Sequence, residues 1–292
     1  MKKSIVKSIA VAGSLFAAAT VSAPAEAIDS FTATYKNGSN CGSNYNISGR
    51  EPSLAGTYPV FVYMVGTSES YTHASAIAAV TSMADRGYVA ATVAYPNSTF
   101  GDCSAIGAKA QCVFNPNSAS SAINTLCSRA KADCSKGVVV SGFSQGSIMA
   151  ILSKNYDPRV DAAYALGAGV QYSGYDLRAC VANGKRSLPS SQLRVVNGEV
   201  DGFMGSSASS VRSQLQELTG LSCGTSAFSC LQSNGSGWYM VKGAEVSDGS
   251  ADHCYMRSGG CLASKLDSIW QTGAAPWSLE INLDWLSAFT LP

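Results

Sequence analysis

The stretch that decides the fold is residues 137–152, which read G-V-V-V-S-G-F-S-Q-G-S-I-M-A-I-L. Its valines at 138–140 form a β-branched apolar run, which is typical of a strand buried on both faces. Residues 147–152 are typical of the start of a helix. Between them lies a G-x-S-x-G motif with Ser144 at its centre. A strand that turns directly into a helix in this way holds the central serine in a strained conformation at the tip of the turn.

The residues around Ser144 suit a nucleophile. Gly142 and Gly146 lack Cβ atoms, so strand and helix can approach each other closely on either side of the serine. The N–H of Gln145, at the helix N-terminus, can donate to an oxyanion that develops during reaction. Because glycine and serine are common in this chain, the alternative is a tight turn with a surface serine.

The pentapeptide Gly142-Phe143-Ser144-Gln145-Gly146 resembles the nucleophile elbow of the α/β-hydrolase fold. Its amino-acid sequence is similar to that of carboxylesterases and acyl-protein thioesterases, and close to the G-Y-S-Q-G of cutinases. The resemblance covers most of the chain in the order of elements, but only the elbow is specific in wording. It implies an α/β fold with a mainly parallel central sheet and helices on both faces. It also implies a serine hydrolase for carboxylic esters that needs no metal or organic cofactor.

The N-terminus has the features of a targeting segment. Three lysines precede a mostly apolar stretch at residues 9–19, and residues 25–27 read A-E-A, an A-x-A cleavage site. We therefore predict a signal peptide at residues 1–27 and a single catalytic domain at residues 28–292.

The charge balance is close to neutral. Removing residues 1–27 leaves 17 basic and 18 acidic side chains of the original 20 and 19. This balance argues against a nucleic-acid partner and against an electrostatic membrane surface. No later apolar segment reaches the length of a membrane span. We expect an exported, soluble monomer, either periplasmic or extracellular, without stable membrane insertion.

All ten cysteines follow residue 27, and an even number in an exported chain predicts disulfides. A zinc site is disfavoured because the chain has no C-x-x-C pair and only two histidines. Connectivity cannot be deduced from spacing, and nearness in sequence is the only guide. It suggests Cys103–Cys112, Cys127–Cys134, Cys223–Cys230, Cys254–Cys261 and, by remainder, Cys41–Cys180.

Apolar periodicity predicts strands that alternate with helices. The predicted strands are at 31–35, 60–65, 88–95, 138–140, 160–166, 193–197 and 238–241, and the further helices at 74–86, 118–130, 211–218 and 279–289. Residues 42–49, 97–117 and 170–191 are interpreted as turns or loops. The alternation predicts a mainly parallel sheet, in which ligands lie beyond the carboxyl ends of the strands, as Ser144 does.

A serine hydroxyl needs a base to take its proton, and histidine is the usual one. The chain offers only His73 and His253. In the α/β-hydrolase order the histidine follows the nucleophile, which favours His253. The alternative for His253 is a solvated loop histidine. His73 precedes Ser144, and is interpreted as a residue at the rim of the site or simply as an early helix residue.

The acid that orients His253 is predicted to be Asp201, which follows the strand at 193–197. Three other carboxylates compete for this role. Glu199 is closer to that strand, Asp252 is adjacent to the histidine, and Asp248 lies slightly further away.

The oxyanion hole needs two N–H donors. Gln145 supplies one, and the family places the other in the loop after the strand at 60–65. Thr67 is the predicted second donor, with Ser68 as the alternative. The loop lacks the H-G-G-G sequence of many lipases and esterases, which argues against assignment to that group.

Aromatic residues near these loops are candidates for the acyl or alcohol pocket, namely Tyr71, Phe143, Phe203 and Trp238. Each is equally well explained by packing in the core. Residues 170–191 lack the amphipathic stripe of an interfacial lid, which disfavours a true lipase.

Taken together, these features predict a secreted esterase for short acyl esters or a cutin-like polyester, working through Ser144, His253 and Asp201. A serine peptidase on the same scaffold is one alternative, since the triad does not choose between ester and amide. A non-catalytic binding protein that kept the fold is another.

Overall fold

The computed structural model describes residues 27–36, 41–172 and 174–291. Apart from Ala27, the predicted signal peptide lies outside the described residues. Within the described residues, no helix is both long and apolar enough to cross a membrane.

A central sheet of nine strands organises the described part of the chain. Its strands are β1 (Ile28–Tyr35), β2 (Tyr45–Pro52), β3 (Val60–Met64), β4 (Val89–Val93), β5 (Val138–Phe143), β6 (Val160–Leu166), β9 (Leu193–Gly198), β10 (Ser229–Leu231) and β11 (Gly237–Val241). Two short strands, β7 (Gln171–Tyr172) and β8 (Tyr175–Asp176), form a separate antiparallel pair.

The order across the sheet is β1-β2-β4-β3-β5-β6-β9-β11-β10. The six strands that are neighbours in space from β4 to β11, namely β4, β3, β5, β6, β9 and β11, are parallel to one another. The antiparallel pairs of this sheet are β1 with β2, β2 with β4, and β10 with β11. The central strands β3, β4 and β5 are buried along their whole length, as their continuous apolar sequences require.

Helices cover both faces of this sheet. They are α1 (Ala74–Asp85), α2 (Cys103–Phe114), α3 (Ala122–Cys127), α4 (Gln145–Leu152), α5 (Arg178–Val181), α6 (Ala208–Thr219), α7 (Ser268–Thr272) and α8 (Leu279–Ser287). Helix α1 packs on β2 to β4 and against α8, whereas α4 packs on β3, β5 and β6 and against α2. The architecture is an α/β-hydrolase fold stabilised by disulfides, as the sequence predicts.

The elbow is as sharp as the motif requires. Strand β5 passes into α4 through a single residue, Ser144, with φ 55° and ψ −120°. A Cβ atom on Gly142 would lie 2.3 Å from the carbonyl oxygen of Gly146, and one on Gly146 would lie 2.1 Å from that of Met64. Backbone atoms cannot yield at such distances, so both positions need glycine.

The interpretation of residues 42–49 as turn-rich is wrong from residue 45 onward, because β2 begins there and pairs with β1 and β4. Buried positions alternate at Ile47, Gly49 and Glu51, and of these three only Ile47 carries an apolar side chain. Gly49 is paired with Phe31 of β1, whose ring lies over the position where a Cβ would stand. A cross-strand neighbour therefore supplies the apolar cover that the strand itself lacks.

The prediction of a polar loop at 97–117 is also wrong, because α2 lies within it. The side chain of Asp102 accepts a hydrogen bond from the N–H of Ala105 and caps the helix. Ile106, Ala110 and Val113 form its buried face. The helix predicted at 118–130 is shorter than expected and covers only Ala122–Cys127.

Three of the five suggested disulfides are confirmed, namely Cys127–Cys134, Cys223–Cys230 and Cys254–Cys261. The other two are wrong, because the structure joins Cys41 to Cys112 and Cys103 to Cys180. Cys103 and Cys112 lie at opposite ends of α2, about 13 Å apart at the helical rise of about 1.5 Å per residue. A disulfide cannot span Cα atoms more than about 7 Å apart, so the helix itself forbids the suggested pair.

Candidate active site

Ser144 lies at the carboxyl end of β5, where the backbone turns into α4. Its N–H donates to the carbonyl oxygen of Leu166 in β6, over 2.9 Å. Its own carbonyl oxygen accepts from the hydroxyl of Ser147, one turn into the helix, over 2.6 Å. These bonds hold a positive φ that is uncommon for a residue other than glycine. Ser144 lines a cavity at this end of the sheet.

His253 and Asp201 meet beside the serine. Asp201 follows β9, and His253 lies in the loop after β11. The Nδ1 atom of His253 is 2.7 Å from Oδ2 of Asp201, and both side chains are buried. The carboxylate also accepts the N–H of Phe203 over 2.9 Å, which fixes its orientation. A carboxylate only accepts, so the imidazole carries its proton on Nδ1 and turns Nε2 toward the cavity.

The competing carboxylates are engaged elsewhere. Glu199 accepts the N–H of Gly243, and Asp252 accepts the N–H of Cys254. Asp248 accepts the backbone N–H groups of Ser250 and Gly259. Of the four candidates, the structure places only Asp201 against the imidazole.

The sequence does not identify Tyr172, whose hydroxyl lies between the hydroxyl of Ser144 and the imidazole of His253. Its Oη is 3.3 Å from Oγ of Ser144, 3.1 Å from Nε2 of His253 and 2.6 Å from the carbonyl oxygen of Gly167. Within the described part of the chain, Ser144 and His253 share no direct hydrogen bond. Tyr172 lies in β7, inside the stretch at 170–191 that lacks periodicity, so no sequence signal marks it.

In the loop after β3, the two candidate oxyanion donors differ in whether their N–H group already has an acceptor. The N–H of Gly66 donates to the carboxylate of Glu69, and that of Ser68 donates to the carbonyl oxygen of Asn97. Among the described residues, the N–H of Thr67 has no acceptor. This leaves Thr67, rather than Ser68, as the available donor.

The side chain of Gln145 ties this loop to α4. Its Nε2 donates to Oγ1 of Thr67 over 3.1 Å and to the carbonyl oxygen of Thr99 over 2.6 Å. The buried ammonium of Lys109 donates to its Oε1 over 3.3 Å. The backbone N–H of Gln145 belongs to the first turn of the helix and has no intrahelical acceptor. A side-chain hydrogen bond thus connects the two residues whose N–H groups are predicted to form the oxyanion hole.

The cavity above Ser144 has a volume of about 590 Å³ and mostly apolar walls. The aromatic and aliphatic side chains that line it are Phe100, Phe143, Tyr172, Tyr175, Phe203 and Leu262. Phe143 and Phe203 therefore lie where the sequence expects substrate contact.

Two of the candidate pocket residues lie elsewhere. Tyr71 is outside the cavity lining, and its carbonyl oxygen accepts from Thr92. Trp238 is fully buried in β11 and donates to the carbonyl oxygen of Leu221 over 3.0 Å. The core-packing alternative holds for Trp238.

His73 lies both at the cavity wall and at the start of α1. Its Nδ1 accepts the N–H of Ser75 and so caps that helix. Burial, and then the neighbouring Arg257, lower the pKa of His73. Arg257 is itself buried in the wall and paired with Glu69.

Among the residues that the structure describes, no group of three or more histidine, cysteine, aspartate or glutamate side chains is placed to hold a metal ion. All ten cysteines form disulfides, and Cys254–Cys261 closes the loop that follows His253.

No family model matches the chain, and no curated protein matches it. Among solved structures it is similar to brefeldin A esterase, described as a bacterial homologue of human hormone-sensitive lipase, with 18% identity and a TM-score of 0.37 over 50% of this chain and 42% of that one. A hypothetical protein from Pseudomonas aeruginosa matches at 17% identity and a TM-score of 0.39, over 55% and 48% of the two chains. The esterase Est22 matches at 17% identity and a TM-score of 0.37, over 48% of this chain and 44% of that one. In each case the matched part is less than half of the other protein.

Proposed function

We propose that the chain is an exported serine esterase that hydrolyses carboxylic esters through an acyl-enzyme. The observation that carries this proposal is the 2.7 Å bond between Asp201 and His253 beside a strained serine at the floor of an apolar cavity. This is the arrangement of a nucleophile, a base and an acid that orients the base.

In the first step, Oγ of Ser144 forms a bond to the ester carbonyl carbon. The serine proton passes to Nε2 of His253, and the carbonyl π electron pair moves onto the oxygen. The N–H groups of Gln145 and Thr67 stabilise that oxyanion, and Asp201 stabilises the imidazolium. The hydrogen bond between serine and histidine forms as the substrate binds, as catalytic hydrogen bonds often tighten only then.

Collapse of the tetrahedral intermediate breaks the carbon–oxygen bond to the alcohol, which takes the proton from Nε2 of His253. Water then attacks the acyl group, with His253 again as the base. The same two N–H groups hold the second oxyanion, and Ser144 recovers its proton as the acid leaves.

The walls of the cavity support an apolar substrate. Phe203, Tyr175 and Leu262 line the cavity and remain exposed at its mouth. Apolar side chains at a mouth favour an apolar acyl chain or an apolar polymer surface over a charged ligand. We therefore propose short acyl esters or a cutinase-like action on a polyester as the substrate class.

Export is the second part of the proposal. Five disulfides are typical of an oxidising compartment, and a signal peptide at residues 1–27 would deliver the chain there. Residues 28–292 would then act as one catalytic domain and as a monomer.

Nitrophenyl esters of increasing acyl length, and a polyester film, test the activity on wild type and on Ser144→Ala. We expect Ser144→Ala to lose at least about 1,000-fold in kcat/KM, because removal of a triad member leaves only binding and the oxyanion hole. Ser128→Ala is the matched control, because this serine lies on the exposed end of α3 and should leave the rate unchanged. Equal rates in wild type and Ser144→Ala would refute the mechanism, and faster turnover of a peptide nitroanilide than of any ester would indicate a peptidase.

A further inference from the structure

Tyr172 is fixed in place by its ring. The ring stacks on Phe100 with centroids 4.7 Å apart and on Phe203 with centroids 5.6 Å apart. The edge of the ring meets the imidazole of His253 at 80°. Stacking from two sides leaves the hydroxyl little freedom, so Oη stays between Ser144 and His253.

The hydroxyl of Tyr172 donates its hydrogen bond to groups other than His253. Burial, and then the charge of Asp201, raise the pKa of Tyr172 well above the ordinary value, so the hydroxyl keeps its one proton at neutral pH. The carbonyl oxygen of Gly167, at 2.6 Å, can only accept that proton, and the geometry toward Ser144 also suits Tyr172 as donor. Either way, Tyr172 presents an oxygen lone pair to Nε2 of His253.

The lone pair on Oη of Tyr172 interacts differently with neutral and with protonated His253. In neutral His253 the proton lies on Nδ1 facing Asp201, so two acceptors face each other across the 3.1 Å between Nε2 and Oη of Tyr172. After His253 takes the serine proton, Nε2 carries an N–H, and the same contact becomes a hydrogen bond from a charged donor. Such bonds are stronger than neutral ones, particularly when both groups are buried.

We propose that Tyr172 is a catalytic residue whose hydroxyl oxygen accepts a hydrogen bond from Nε2 of His253 once the histidine holds the Ser144 proton. The proposal rests on the proposed function, because it needs Ser144 to give its proton to His253. No further co-reactant takes part. The proton leaves Oγ, forms the Nε2–H bond, and goes on to the leaving alcohol, while Tyr172 keeps its own proton throughout.

Gly167 supports the same arrangement. It has φ +67°, and a Cβ there would lie 2.8 Å from Cε1 of His253. The residue that accepts from Tyr172 is therefore a glycine, over which the imidazole can pack closely.

Tyr172→Phe tests this role, because it removes the hydroxyl and keeps the stacked ring. We expect kcat/KM for nitrophenyl butyrate to fall about 10- to 100-fold, the effect of one hydrogen bond to a charged group. The loss should lie in kcat, with KM nearly unchanged. The acidic limb of the pH profile should move to lower pH, since the protonated imidazole loses an acceptor. The other charged groups near the imidazole of His253 are Asp201 and the Glu69–Arg257 pair, and the substitution leaves them unchanged.

Tyr58→Phe is the matched control. Tyr58 lies just before β3, at the end of that strand opposite the site, and its hydroxyl donates to the carbonyl oxygen of Leu54. Its rate and pH profile should equal those of wild type. Melting temperatures check that both variants fold.

A rate for Tyr172→Phe that equals or exceeds wild type overturns the proposal, and so does a lower rate with an unmoved acidic limb, which would indicate packing alone. If wild type itself hydrolyses no ester, the proposed function fails and this role with it. Should Tyr172→Phe not fold, proton NMR of wild type at acidic pH decides. A downfield Nε2–H signal of His253 is expected, and its absence beside a visible Nδ1–H signal overturns the proposal.

Discussion

At the scale of single residues, the site depends on which nitrogen of His253 carries the proton. Asp201 is fully buried and held by the N–H of Phe203, so it can only present an acceptor to Nδ1. Nε2 is therefore the nitrogen that can take the proton of Ser144. A single carboxylate thus sets both the orientation and the tautomer of the imidazole that the proposed mechanism uses as its base.

Asp201→Asn should lower kcat by about 1,000- to 10,000-fold with little change in folding. The amide has the shape of the carboxylate, but its NH₂ group can donate to Nδ1 and favour the wrong tautomer. Glu199→Gln is the control, since Glu199 faces Gly243 and should change the rate only slightly. Steady-state kinetics on the ester panel measure both variants. A large loss in Glu199→Gln with an unchanged Asp201→Asn would assign the acid to Glu199.

The sequence could indicate Ser144, Asp201 and His253 because a motif and the order along the chain mark them. It could not indicate Tyr172, since its role depends on a distance across the fold. Tyr71 shows the opposite error. Its aromatic ring and its nearness to a predicted site loop suggest a pocket residue, but Tyr71 lies in the turn before α1 and outside the cavity lining.

At the scale of elements, the sequence predicts structure best where the chain buries its own apolar residues. Strands β3 and β5 are continuous apolar runs, and their strand character is visible without the rest of the molecule. The sequence of strand β2 gives no clear strand pattern, because Phe31 of β1 covers its Gly49. Strand β2 is thus completed by a neighbouring strand that the sequence does not reveal. Helix α2 does leave a signal in the sequence, because Ile106, Ala110 and Val113 have helical spacing and Asp102 caps the helix.

The turn at Ser144 is the part of the structure that the sequence predicts most completely. Its two glycines are required by close approach to backbone atoms, and this requirement is local. Local requirements leave a readable pattern in the sequence, whereas contacts between distant segments do not.

At the scale of the whole molecule, α2 links distant parts of the chain. Cys112 joins it to Cys41, and Cys103 joins it to Cys180 at α5, beyond the β7–β8 pair that holds Tyr172. These two bonds close loops of 71 and 77 residues, while the other three close loops of only 7. Pairing by nearness in sequence finds only the short ones.

Removing the Cys103–Cys180 bond by a double change to serine should lower the free energy of unfolding by about 4 kcal/mol, because the unfolded chain regains a long open loop. The same change at Cys223 and Cys230 should lower it by only about 2 kcal/mol. Urea unfolding of both variants and wild type provides the comparison. Equal losses would mean that loop length does not set the contribution of these bonds.

The most direct test of the central claim is covalent labelling with a fluorophosphonate, followed by mass spectrometry of the intact chain and its peptides. We predict one adduct on wild type, located at Ser144, with none on Ser144→Ala and a much slower reaction in His253→Ala, because only a serine with a working base attacks the probe. An adduct on another residue, or an unlabelled wild type, would contradict the account.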